Sequence, residues 1–161
     1  MPINGERVTV TRTIAAPASK IWDLVSHPQG HVDIDGSGML EAAEDATPLT
    51  AVGDTFDIKM DRTPLNDIPG LVKYEVRNTV TRIEPGSAIE WGIGGKDTPP
   101  LGHVYCFELA PSADGSSTEV THYCDWTNAP AQLKEAREWP IVPEHMLEST
   151  LDRIEALVTS D

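Results

Sequence analysis

A chain of 161 residues carrying 26 Asp and Glu against 12 Lys and Arg has a formal charge of -14, a balance that repels DNA and anionic membranes and argues against nucleic acid as a partner. The expected organisation is one domain over residues 1–161, long enough to bury about two-thirds of its unfolded surface without a metal or disulfide staple. No stretch approaches the roughly 20 apolar residues needed to span a bilayer, and Met1 to Arg7 lacks the apolar run of a signal peptide. With Cys106 and Cys124 as its two cysteines, the chain is expected to be cytoplasmic, with reduced thiols and no membrane insertion.

In chain order, Arg7 to Ile14 alternates Val8, Val10, Arg12 and Ile14 with Thr9, Thr11 and Thr13, which predicts a strand with one largely apolar face. Pro17 then opens a short helix through Ile21, Trp22, Leu24 and Val25, limited by Pro28. A second short helical turn is expected at Gln29 to Val32, ending before Asp35-Gly36-Ser37-Gly38. The signals that follow are those of an antiparallel meander. Met39 to Ala43 is a weak strand. Thr55 to Asp61 puts Phe56, Ile58 and Met60 on one face, and Val72 to Ile83 does the same with Tyr74, Val76, Asn78 and Val80. Ile89, Trp91 and Ile93 share the next face, then His103, Tyr105, Phe107 and Leu109, then Val120, His122, Cys124 and Trp126. Turns between them, as at Glu84-Pro85-Gly86-Ser87, carry Gly, Pro, Asp and Ser. After Pro143, the positions Met146, Leu147, Leu151, Ile154, Leu157 and Val158 recur at helical spacing, and Glu144 in the first turn complements the helix dipole.

One long C-terminal helix is then the only element able to cover the apolar face of the sheet. The expected class is α+β: a curved antiparallel sheet of about six or seven strands wrapped around that helix, with two short helices after the first strand. Curvature leaves space between sheet and helix, and that space is a cavity.

The segment "TIAAPASKIWDLVSHPQGHVDIDGSG", the stretch "VTRIEPGSAIEWGI" and the ending "HVYCFELAPSADGSSTEVTHYCDWT" together resemble the START/Bet v 1-like (SRPBCC) superfamily. The likeness is strongest to its bacterial polyketide cyclase/dehydrase and lipid-transport branch. It runs from Val8 to Val158 and rests on the order of elements, because this superfamily keeps a helix-grip shape and few side chains. What it implies is a cavity rather than a reaction, since members include lipid carriers, hormone receptors, cyclases and chaperone activators.

In the resembled fold, the inward strand faces and the inner face of the last helix line the cavity. That implies a ligand-binding set of Phe56, Ile58, Tyr74, Val76, Asn78, Trp91, His103, Tyr105, Phe107, His122 and Trp126. Trp139, Met146, Leu147 and Leu151 join it from the chain that enters and forms the helix. Polar side chains on an apolar wall orient a ligand, and a His titrating near neutral pH moves protons, which makes His122, His103 and Tyr105 the catalytic candidates. The links Asp61 to Gly70, Gly94 to Leu101 and Asn128 to Pro143, read as irregular, ring the mouth in that fold, with Leu65, Ile68, Leu101 and Trp139 available to a lid.

His27 and His31 stand four apart, a metal-ligand spacing on a continuous helix. Pro28 and Gly30 between them favour a solvent-facing polar turn, and no metal or other cofactor is expected, although His31 or Asp33 at a cavity edge could touch a ligand. Asp35 to Gly38 reads as a tight structural turn. Cys106 and Cys124 sit on neighbouring strands with opposite facing, which disfavours a disulfide. The function expected is binding of a small, largely apolar lipid-, polyketide- or aromatic-like molecule by a monomer or weak homodimer. The alternatives are a cyclase or dehydratase using cavity His and Tyr residues, and a protein-interaction module of the chaperone-activator type, which requires a filled core and an exposed apolar patch.

Overall fold

Alternation of period two along the middle of the chain produces one antiparallel sheet, and the helical repeat at its end produces the element that fills it. The computed structural model describes residues 3–44 and 47–160. Its elements are β1 (Ile3–Asn4), β2 (Arg7–Ile14), α1 (Ala18–Val25), α2 (Pro28–Ile34), β3 (Leu40–Ala43), β4 (Thr55–Asp61), β5 (Lys73–Glu84), β6 (Ala88–Gly94), β7 (Val104–Pro111), β8 (Thr118–Asp125), α3 (Ala131–Ala136) and α4 (Glu144–Thr159). The strands lie in the order β1-β2-β8-β7-β6-β5-β4-β3, each antiparallel to its neighbours. Seven strands are those expected, and the two-residue β1, paired to β2 through Ile3 and Val8, adds an eighth.

The register sets the inner face. Val8, Cys124, Tyr105, Trp91 and Val80 form one cross-strand row over β2, β8, β7, β6 and β5. Val10, His122, Phe107 and Ile89 form the neighbouring row. Side chains within a row face the same way, so Trp91, Tyr105, Phe107 and His122 share one wall. A register irregularity between Val80 and Arg82 interrupts the β5–β6 ladder, the kind of feature that bends a sheet.

The helix α4 packs Leu147, Thr150, Leu151, Ile154 and Val158 against the core. Its opposite side carries acids: Arg12 of β2 pairs with Asp152 at 2.5 Å and with Glu148 and Glu155 at 3.4 and 3.5 Å. The turn before β3 is glycine-dependent for a steric reason. A Cβ on Gly36 would strike the backbone of Ser149 and Thr150 in α4, and the Gly36 N–H donates to Thr150 Oγ1 at 3.0 Å. Asp35 completes the turn by accepting from Ser37 N, Ser37 Oγ and Leu40 N. This loop fastens the start of β3 to the final helix.

Two readings of the sequence need correction. The link at 128–143, read as irregular, contains α3, whose six residues include none that is buried; a helix without a buried stripe leaves no apolar period to find. The short helical turn expected at Gln29 to Val32 is α2, but it is a regular helix with His31 buried, not a solvent-facing polar turn. Pro28 occupies its first turn, where a missing N–H is harmless, and Gly30 lets α2 pass against the backbone of Leu24. Among the described residues, no helix is long and apolar enough to cross a membrane.

Candidate functional site

Between the inner sheet face, α2 and the first turns of α4 lies a cavity of about 370 Å³. Ile58, Val76, Trp91, Ile93 and Phe107 supply the sheet wall, and Ile34, Leu147 and Thr150 supply the helical wall. Ile68, Leu101, Leu133, Ile141 and Val142 complete the lining from the three links that follow β4, β6 and β8. The wall is flat over part of its extent. Trp91 stacks on Tyr105 (6.1 Å, 23°) and on Phe107 (5.7 Å, 28°), and Phe107 lies 4.0 Å and 7° from the ring of His122.

Three imidazoles touch this space. His31 is buried, sits 4.6 Å from Trp91, and its Nε2 lies 2.7 Å from the carbonyl of Val25. His122 is buried and places Nδ1 2.9 Å from the carbonyl of Cys106. His103 is 3% exposed and its Nδ1 has no hydrogen-bond partner. Burial pushes all three down from 6.5 to about 4, and for His103 the Arg62 guanidinium adds to the effect. They are therefore neutral at physiological pH. Burial of this kind works against the protonated imidazole that a general-acid step would use. Burial also holds the Tyr105 phenol well above its ordinary value, so it is a neutral hydroxyl. Asn78, 6% exposed on the same wall, leaves Oδ1 buried and unpartnered.

At the mouth, Arg62 bonds both carboxylate oxygens of Asp67 at 2.8 and 2.9 Å and donates to Tyr74 Oη at 3.1 Å. The pair braces the β4–β5 link from within, and its geometry is of the bidentate type that gives strength and direction.

Of the residues expected to contact a ligand, Ile58, Tyr74, Val76, Asn78, Trp91, His103, Tyr105, Phe107, His122 and Leu147 line the cavity. Phe56, Trp126, Trp139, Met146 and Leu151 do not. Phe56 and Leu151 are core residues at 1% and 0% exposure. Trp126 and Trp139 stack on each other at 5.7 Å beside the opening, with Trp139 edge-on to His103 at 5.3 Å. The Met146 position falls outside the buried stripe of α4. Of the residues expected to be available to a lid, Ile68 and Leu101 line the cavity, whereas Leu65 and Trp139 lie outside the lining.

The lining includes Arg62, Thr150 and Arg137, which the sequence reading did not propose, and His31, which it left undeveloped. Two of them carried a signal. Arg62 continues the alternation Phe56, Ile58, Met60 one step beyond the end of β4, and Thr150 stands three residues from Leu147 on the buried stripe of α4. Asp33 is absent from the lining; its carboxylate accepts from Gln29 and its carbonyl from Arg153. His27 caps α2 by accepting from Gln29 N. Among the described residues no group of three His, Cys, Asp or Glu side chains is placed to hold a metal. Cys106 and Cys124 are free and buried, and burial pushes their thiols up to about 11 and about 12, which silences them as nucleophiles.

The architecture has counterparts among solved structures. A protein from Chromobacterium violaceum, CV1439, superposes with a TM-score of 0.68 at 15% identity, over 97% of this chain and 99% of that one. A point mutant of norcoclaurine synthase from Thalictrum flavum, solved with a transition-state analogue, gives 0.62 at 17% identity over 94% and 92% of the two chains. At such identities the likeness shows the fold alone. In sequence, the chain is 30% identical over 125 residues to the uncharacterized protein Rv0088 of Mycobacterium tuberculosis, covering 78% of this chain. The chain spans about half, 50%, of the length of the curated relatives it matches. The model of one protein family, described as polyketide cyclase / dehydrase and lipid transport, matches residues 6–159. With that match over nearly its whole length, and with the helix-grip architecture to go with it, the chain belongs to the polyketide cyclase/dehydrase and lipid transport family.

Proposed function

We propose that this protein binds a small, largely apolar molecule, of lipid-, polyketide- or aromatic-like character, in the cavity between its sheet and α4, and acts as a carrier or sequestering domain. The observation that carries the reading is the cavity itself: about 370 Å³ of mainly apolar space in which Asn78 Oδ1 is buried without a partner. An interior normally satisfies its polar groups, and a ligand in this cavity would do so. The size lies within the range of small-molecule sites. The structural neighbour solved with a transition-state analogue supports the use of such a fold for holding organic molecules. The unfilled core weighs against the interaction-module alternative. The proposed setting remains the cytoplasm, with the chain as a monomer or weak homodimer.

A second reading, a cyclase or dehydratase, draws on Tyr105, His103 and His122 lining one cavity. Burial works against protonating these imidazoles, which weakens the acid–base chemistry this reading needs, so binding is the better supported of the two.

The test is native mass spectrometry of freshly purified protein, followed by denaturing extraction. A co-purifying apolar metabolite is the expected result, after which Tyr105→Phe separates binding from turnover. A clean mass that no panel of lipids and aromatics shifts, with no rise in melting temperature, would sink the binding reading.

A further inference from the structure

Two of the three imidazoles that touch the cavity, His31 and His122, are locked into defined tautomers by the backbone. A carbonyl oxygen has no proton to give, so the contacts of His31 Nε2 with Val25 O and of His122 Nδ1 with Cys106 O require those nitrogens to carry the hydrogen. Each neutral ring then holds a lone pair on its other nitrogen, Nδ1 in His31 and Nε2 in His122. The two rings flank Phe107, at 6.3 Å and 4.0 Å from its centroid. Asn78 Oδ1, unpartnered and buried, is a third acceptor in the same cavity.

The charged side chains of the lining are Arg62, Arg137, Asp35 and Glu75. The two arginines that line the cavity come from the links around its mouth, and Arg62 is bound to Asp67 and Tyr74. A carboxylate set against these lone pairs would shed its water for groups that cannot donate to it, in a lining that also holds the acids Asp35 and Glu75 and whose Arg62 is already paired, and the loss is large in an apolar interior. A hydroxyl group donates into the same lone pairs.

Building on the binding reading above, we propose that the deep end of the cavity selects uncharged ligands that lead with a hydroxyl group, accepted by His31 Nδ1 and His122 Nε2, and rejects carboxylates of the same shape. The stacked wall of Trp91, Phe107 and His122 offers a flat face to the ring or chain that carries that hydroxyl. Among lipid-like molecules this favours alcohols and phenols over fatty acids.

The experiment is calorimetric titration of the intact chain with three probes of one shape: naphthol, methoxynaphthalene and naphthoate. Naphthol is expected to bind about tenfold more tightly than either of the others, which corresponds to about 1.4 kcal/mol. His122→Asn keeps a donor for Cys106 O and removes the Nε2 lone pair, and the naphthol preference is expected to shrink. Nitrogen NMR of the rings in the unaltered protein provides a measurement that does not depend on a variant folding: naphthol should move the two lone-pair signals toward the N–H range. Equal binding of naphthol and methoxynaphthalene, tighter binding of naphthoate, or ring signals indifferent to bound naphthol overturns the selectivity while leaving the cavity a binding site. Failure of all three probes to bind overturns both.

Discussion

At the scale of single residues, the site is built from groups that water would treat differently. His31, His103 and His122 each have an ordinary value of 6.5 that burial lowers to about 4. Between those values the unfolded chain binds a proton that the folded chain does not, so stability is complete above about pH 6.5 and falls as the pH drops toward 4. The slope is about 1.4 kcal/mol per pH unit for each such histidine. Urea unfolding at about pH 7.5 and about pH 5.5 is expected to show this loss, and His122→Asn should reduce it by about one proton's worth. A stability independent of pH over that interval would show that the folded protein binds as many protons as the unfolded chain, so that burial does not depress these rings. None of this was legible in the sequence beyond facing: His122 and His103 were placed on the inner wall by period-two alternation, but burial depth and the carbonyl partners are supplied by other strands and helices.

At the scale of elements, α4 and the loop that grips it carry the architecture. The buried stripe from Leu147 to Val158 follows the apolar spacing of the sequence, and Leu151 and Ile154 are fully buried. What the spacing did not reveal is the fastening. Gly36 sits so close to Ser149 and Thr150 that a methyl group there must displace one backbone or the other. Gly36→Ala is expected to cost about 1–3 kcal/mol, the usual penalty for overpacking, read as a lower urea midpoint; a change of less than about 0.5 kcal/mol would mean that the loop yields freely. The helix α2 teaches the converse lesson. Pro28 and Gly30 look like breakers in the sequence, yet one fills a first-turn position and the other permits contact with Leu24, so the same residues that argued against a helix are the ones that let it pack.

At the scale of the whole molecule, the curved sheet and α4 do not meet everywhere, and the unfilled volume is a stability sacrificed for the cavity. Filling it should therefore stabilise the fold and disable binding. Val76→Phe, on the sheet wall, is expected to raise stability by about 0.5–2 kcal/mol, in the range of cavity-filling substitutions, while naphthol binding is lost. A lower melting temperature with binding retained would contradict the placement of the cavity. The mouth is likewise a property of the assembled molecule: Ile68, Leu101 and Leu133 come together from three separate links, whose sequences share no pattern that announces their meeting.

The sequence by itself determined the order of elements, the faces of the strands and the apolar stripe of the last helix, because those depend on side-chain periods of two and 3.6 that are written locally. The likeness of Thr13 to Gly38 and Val80 to Ile93 to the superfamily followed from the same local pattern. Only the tertiary structure decided which inward residues face empty space and which face neighbours. Phe56 and Ile58 share a face of β4 and both belong to the core, yet of the two only Ile58 also lines the cavity. The reason is that a cavity is set by how far sheet and helix separate along their length, a distance fixed by contacts such as Gly36 against Thr150 that are remote in the chain.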